Sequence, residues 1–140
     1  EGTSTHVLGI TFVDKLDDDT NNQPTGEIKK CVTQLKEYFD GNRTKFDLNI
    51  LLDGTQFQKQ VWEQLQTIPH ATTVSYKDIA KSISNEKAVR AVGSANGKNP
   101  IAIAVPCHRV IGSDGSLSGY AYGVWRKQWL INHEKKKKEK

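Results

Sequence analysis

The segment Pro106-Cys107-His108-Arg109-Val110 puts a thiol, an imidazole and a guanidinium on consecutive residues. A cysteine attacks as its thiolate, and a nearby imidazole or a basic group such as Arg109 favours that form. An imidazole used this way needs an orienting partner, normally a carboxylate. The later half of the chain offers few carboxylates, and Glu134 is one candidate. Cys107 also reads as a buried inert thiol, as most free cysteines are. Cys31 takes that inert reading because it lies on the apolar face of a helix. Two cysteines and four histidines (His6, His70, His108, His133) are scattered without ligand spacing, so no metal site is expected. The cysteine usage suggests no disulfide framework and a reducing compartment.

These residues need elements to hold them. Ile101 to Val105 is an uninterrupted apolar run of strand length that delivers the chain to Pro106. Upstream, Thr55 with Gln58 and Ser75 with Asp78 fit capping boxes, in which side chains at a helix start satisfy its free NH groups. The first opens a helix carrying Phe57, Val61, Trp62 and Leu65 and ending near Pro69. The second opens a short helix through Tyr76, Ile79, Ala80 and Ile83. Ser84-Asn85-Glu86 is a turn, and Lys87 to Asn96 is the next helix, stopped by Gly97. The pair reads equally as a helix-turn-helix or as an ordinary helical hairpin. Ala88, Ala91, Gly93, Ser94 and Ala95 give the second helix a face with almost no bulk, from which Arg90 projects. That face suits tight helix packing or close approach to a DNA groove. Gly112 to Gly123 is a shaped loop holding Tyr120 and Tyr122. The last helix, Val124 to Glu134, carries Trp125, Trp129 and Leu130 on one face.

Before Gly54 the chain reads as a small α/β unit. His6 to Val13 and Phe46 to Leu52 carry strand signals. Asp17 to Gly26 is a polar loop, and Glu27 to Phe39 has helical apolar spacing stopped by Gly41. The expected divisions are 1–53, 54–134 and a Lys-rich tail, 135–140, read as a solvated terminus.

The 140 residues carry 20 Lys and Arg against 16 Asp and Glu, a formal charge of +4. The tail alone supplies that excess, with five Lys and one Glu. Residues 1–55 hold 6 basic and 10 acidic groups, and residues 56–134 hold 9 and 5, so positive charge gathers in the segment that contains Cys107. So small an excess supplies encounter with a polyanion and moderate salt dependence, not selectivity. At 36% hydrophobic and 26% charged the composition is that of a globular chain. No apolar run approaches the roughly 18 residues of a membrane span, and no signal-peptide pattern opens the chain. No Met is present, which suggests a processed product or a fragment whose first strand is absent.

Pro106-Cys107-His108-Arg109-Val110 resembles the active-site motif of the O6-alkylguanine-DNA alkyltransferases, the methylated-DNA–protein-cysteine methyltransferases. Gly54-Thr55-Gln56-Phe57-Gln58, Val61-Trp62, Ile68-Pro69, Ser75-Tyr76 and Ile79-Ala80 resemble the family in order. So do Arg90-Ala91-Val92-Gly93, Asn99-Pro100, the Gly-Tyr-Ala of the loop, Trp129-Leu130 and His133-Glu134. Together they cover residues 54–134. Tyr38-Phe39, Gly41, Arg43 and Phe46 resemble the family's smaller N-terminal domain, which is RNase H-like; the later part is winged helix-turn-helix-like.

The resemblance implies a protein that flips the damaged guanine out of duplex DNA, because an O6-alkyl group is unreachable inside the stack. Cys107 would accept the alkyl group, with His108 acting through a water as base and Glu134 orienting His108. Tyr76 would crowd the target phosphate and donate a proton to the leaving guanine. Arg90 would fill the vacated stack while Ala88, Ala91, Gly93 and Ser94 of its helix, together with Arg109, meet the DNA. Asn99 would bond across the turn before the Cys107 strand. Val110, Tyr120, Ala121 and Tyr122 would line the base pocket. The product is a thioether, which cellular thiols do not reverse, so the protein is consumed after one event. No cofactor is implied, and the expected form is a monomer in the cytoplasm, or in the nucleus of a eukaryote.

Tyr122 stands where the family usually has glycine, which narrows the pocket for bulky adducts. His70-Ala71 replaces a residue-plus-glycine, a change expected to be neutral, and Asn49 stands where proline is common. A non-enzymatic module binding alkylated DNA is the first alternative, and Cys107 argues against it. A helix-turn-helix regulator would leave the Pro-Cys-His-Arg-Val run and Glu134 unexplained. A cysteine hydrolase would need an oxyanion hole and should turn over.

Overall fold

Apolar residues at helical spacing and hydroxyl caps build most of the frame. In the computed structural model, which describes residues 2–3, 6–12, 26–117 and 120–138, α1 runs over Gly26–Phe39 and buries Cys31, Gln34 and Tyr38. α2 spans Gln56–Leu65, capped by Thr55 with both halves of the box formed against Gln58. β1 is the pair Val74–Ser75, and α3, Tyr76–Ser82, begins at the Ser75–Asp78 box. α4 covers Val89–Gly97, β2 is Val110–Ile111 and α5 is Val124–Lys138. β1 and β2 pair in parallel, Val74 against Val110 and Ser75 against Ile111. The fold is therefore mixed α/β, with helices around a two-stranded sheet.

α2 and α3 both pack on α4. The indole NH of Trp62, on α2, donates to the Ala95 carbonyl at 2.8 Å, so α4 hangs from α2 by a buried bond. A single core runs from Tyr38 and Cys31 through Trp62 and Leu65 to Ile101, Val105 and Leu130.

Several expectations need correction. His6 to Phe12 makes isolated bridges at Val7 and Ile10 but no regular strand, and Val13 lies outside the described residues. Beyond a local bridge between Val7 and Gly2, its pairing is divided between two distant neighbours. Val7 bonds to the 49–51 segment (Val7 N to Asn49 O, 2.7 Å; Leu51 N to Val7 O, 2.9 Å). Ile10 bonds to the 100–102 segment (Ile10 N to Pro100 O, 2.9 Å; Ala102 N to Ile10 O, 3.0 Å). Phe46 to Leu52 accordingly shows one bridge, at Ile50. α4 starts at Val89 rather than Lys87, with Ala88 at its N-cap position and no side-chain cap bond, and it runs through Gly97.

The largest difference is at Ile101 to Val105, which is a buried turn and not a strand. Ile103 sits at φ +70°, a region that β-branched residues avoid. The Asn99 side chain compensates by spanning the turn: Nδ2 donates to Val105 O at 2.7 Å and Ile101 O at 3.3 Å, and Oδ1 accepts from Ile101 N at 3.0 Å.

On α5, Trp125 and Trp129 are 67% and 48% exposed while Leu130 is buried, so the tryptophans do not share its inward face. The helix also continues through Lys138, four residues into the expected tail. The loop from Asp17 to Thr25 and the last two residues lie outside the described part.

Candidate active site

Cys107 opens a single 3-10 turn, Cys107–Arg109, directly behind the Asn99-bound turn. Its main chain is fixed on both sides: its NH donates to Val105 O at 2.8 Å, and its carbonyl accepts from Asn96 Nδ2 at 3.3 Å. The tight turn throws Cys107, His108 and Arg109 inward together, and all three are buried.

Glu134 meets His108 and Arg109 from the last buried turn of α5. Its Oε2 accepts from His108 Nε2 at 2.7 Å, Tyr38 Oη at 2.7 Å and Arg109 Nη2 at 3.0 Å. Its Oε1 accepts from Arg109 Nε at 2.9 Å and Ala71 N at 3.1 Å. Burial alone would raise the carboxyl's pKa. The hydrogen bonds from His108 and Arg109 overcome that and hold it well below the usual carboxylate range. An ionised Glu134 can only accept, so His108 must carry its proton on Nε2. Burial also lowers the His108 pKa, which keeps the ring neutral, and Nδ1 is then a lone pair with no protein partner among the described residues. A buried neutral imidazole with one nitrogen fixed and the other open is arranged as a base.

Burial pushes the Cys107 thiol up, opposed by the Asn99 amide and then by the Lys127 ammonium. The protein therefore stores a thiol and needs a base to use it. Lys127 is fully buried beside two aromatic rings, with Nζ 5.6 Å from the Tyr76 centroid and 6.0 Å from that of Tyr120. It also donates to Tyr76 Oη at 3.3 Å. Burial brings its pKa down to about 8, against the pull of Cys107.

Lys127 was not among the expected site residues. It stands seven residues before Glu134, two helical turns, and so on the same face; that spacing was the available signal. Tyr38 carries the family likeness, and periodicity places it only on an apolar face.

The other expected residues divide by exposure. Arg90, Ala91 and Ser94 are exposed on α4, whereas Ala88 and Gly93 are half-buried, and a Cβ on Gly93 would lie 3.9 Å from the Tyr76 ring. Val110 and Tyr120 are buried and Ala121 is exposed. Tyr122 leans on Phe12 (centroids 5.3 Å apart) and on Tyr120 (5.6 Å); the glycine before Tyr120 lies outside the described residues.

Arg109, expected at a DNA-facing surface, is instead buried. It is 6% exposed, and its guanidinium is used up on Glu134 and on the Ile68 carbonyl, 2.7 Å from Nη1. The same contacts remove it as a direct activator of the thiol.

Ala71 also departs from expectation. It sits at φ +63°, where glycine is favoured, so the alanine is not neutral. Ala71→Gly is expected to relieve about 1 kcal/mol of strain, offset in part by glycine's greater freedom when unfolded, and to raise Tm measurably in a thermal melt.

Among the described residues no helix is long and apolar enough to cross a membrane. Residues 56–136 match the model for the 6-O-methylguanine DNA methyltransferase DNA binding domain, and residues 2–52 match that for its ribonuclease-like domain. A methylated-DNA–protein-cysteine methyltransferase of Methanosarcina barkeri is 51% identical over 107 residues, 76% of this chain and 68% of the relative. A probable methylated-DNA–protein-cysteine methyltransferase of Acanthamoeba polyphaga mimivirus is 42% identical over 97% of this chain and 87% of its own. The crystal structure of Mycobacterium tuberculosis OGT in complex with DNA superposes with a TM-score of 0.87 at 43% identity, covering 98% of this chain and 85% of that one. A helical domain carrying a buried thiol–imidazole–carboxylate arrangement, together with these likenesses over both halves, places the chain in the 6-O-methylguanine DNA methyltransferase family.

Proposed function

We propose that this chain repairs O6-alkylguanine in duplex DNA by moving the alkyl group to Cys107. The observation that carries the reading is the buried His108, bonded to Glu134 through Nε2 and open at Nδ1, immediately after the cysteine. The flipped guanine presents its O6-alkyl carbon to Sγ. As the S–C bond forms, the C–O6 bond breaks, and the thiol proton passes through a water to His108 Nδ1. The leaving guanine takes a proton from Tyr76, whose hydroxyl accepts a bond from Lys127. Lys127 counters the negative charge developing at sulfur. Asn99 acts by holding the turn that aims Cys107.

Residues 54–134 form the DNA-binding and transfer unit and residues 1–53 the supporting unit, with 135–140 as a basic extension. The active form is a monomer, in the cytoplasm or, in a eukaryote, the nucleus. Incubation with excess duplex containing O6-methylguanine should add one methyl mass to the peptide bearing Cys107 and repair no more than one equivalent. Unchanged mass with lesion binding intact would favour a binding module.

Arg90 stands exposed on the small-faced α4 and fills the stack left by the flipped base. Arg90→Ala is expected to slow single-turnover repair in duplex DNA by about tenfold, the order of one lost extrusion contact. Repair of the free O6-alkylguanine base should change little. Equal rates in duplex would sink this role.

A further inference from the structure

Tyr38 lies on α1, in the half of the chain that holds none of the reacting groups, yet its hydroxyl reaches the centre of the site. It is 1% exposed and donates to Glu134 Oε2 at 2.7 Å, the same oxygen and the same distance as His108 Nε2. The ring is gripped by His133 at 5.3 Å and Phe46 at 5.6 Å, and the Tyr38 carbonyl is bonded to His133 Nε2 at 2.7 Å. The carboxylate does not need this phenol to offset its burial, because Arg109 already pairs with both oxygens and Ala71 supplies a further donor. A phenylalanine would satisfy the aromatic surroundings equally. The hydroxyl is the part left to explain.

We propose that Tyr38 is a positioning residue for alkyl transfer, acting through Glu134 to set the orientation and the basicity of His108. The inference rests on the reading of His108 as the base for Cys107.

Oε2 divides its charge among three donors. Each bond from Tyr38 or Arg109 leaves less negative charge for the imidazole, and so less stabilisation of imidazolium. The Tyr38 bond also stops the carboxylate from rotating about its last torsion and carrying the ring with it. The charged and titratable groups facing this centre are Arg109 from the 3-10 turn, Lys127 and His133 from α5, His70 from the loop after α2, and Cys107 and Tyr120. All of them remain when Tyr38 loses only its oxygen. The variant therefore isolates one bond.

Tyr38→Phe is expected to slow methyl transfer from O6-methylguanine duplex by about tenfold at neutral pH, the scale of one hydrogen bond to a charged group. With the hydroxyl gone, Glu134 stabilises imidazolium more strongly. The acid limb of the rate profile should then move to higher pH by about half a unit to one unit. The His108 imidazole, followed by nitrogen NMR in unreacted protein, should shift the same way. Site-specific 3-fluorotyrosine, a stronger donor of the same shape, should move the titration in the opposite direction. A lower Tm and a lower rate with both titrations unmoved would make Tyr38 merely structural and overturn the proposal, as would an unchanged rate. A wild-type protein that takes no methyl would instead sink the transfer reading, and the NMR titration, which needs no DNA, would still decide the role of Tyr38.

Discussion

Cys107→Ser is expected to lower alkyl transfer by on the order of 10^4-fold or more, while binding to lesion-containing duplex persists. The hydroxyl is a far poorer nucleophile at neutral pH, and a neutral His108 cannot make an alkoxide readily. The change is otherwise small. The bonds that fix residue 107 run through its main chain, to Val105 O and from Asn96 Nδ2, and survive the substitution. Intact mass after a long incubation reads transfer, and a gel shift with the same duplex reads binding. Methylation at the wild-type rate would mean that another group accepts the alkyl, and the assignment of Cys107 would be lost.

Glu134→Gln is expected to have the largest effect on stability. The carboxylate accepts five hydrogen bonds, from Tyr38, Ala71, His108 and twice from Arg109. An amide turns one acceptor into a donor facing donors, and leaves the Arg109 charge buried without its counterion. Breaking a buried pair in this way costs about 3–5 kcal/mol, or roughly 10–20 °C in Tm for a chain of this size. Transfer should fall with it, because His108 loses both orientation and tautomer. A melt within about two degrees of wild type would refute this account of Glu134.

The same centre predicts how stability depends on pH. The folded Glu134 pKa is depressed, so its contribution is present above the unfolded value and is lost as pH falls below it. Burial lowers the folded pKa of His108 and of His70, so the unfolded chain binds protons that the native one refuses once pH drops below about 6.5. Both effects have one sign: Tm should fall steadily on acidification from neutral.

Much of this was legible in the residues. Capping boxes are local, and Thr55–Gln58 and Ser75–Asp78 form as their spacing predicts. The grouping of Cys107, His108 and Glu134 was also legible, through a motif and a late carboxylate. What failed depended on side-chain partners that apolar spacing does not reveal. The apolar run at 101–105 satisfies a strand pattern, but its turn is closed by the side chain of Asn99, which hydrophobic periodicity does not register. On α5 the usual weights inverted. Two tryptophans lie outward and Lys127 inward, because the site supplies aromatic faces and a thiol for the ammonium. Arg109 carried an implied role at DNA, but its charge is taken by Glu134.

The divided pairing of residues 7–10 bears on how the chain is made. Ile10 waits for Ile101, about 90 positions later, and such distant contacts carry a high closure cost. On a ribosome the segment beside Ile50 can form early, yet one edge of Ile10 stays open until residues 100–102 emerge, a template for unwanted strand pairing. The stretch that completes that edge is the turn leading into Cys107. Assembly of the nucleophile's support and protection of the nascent edge are thus one event in biosynthesis.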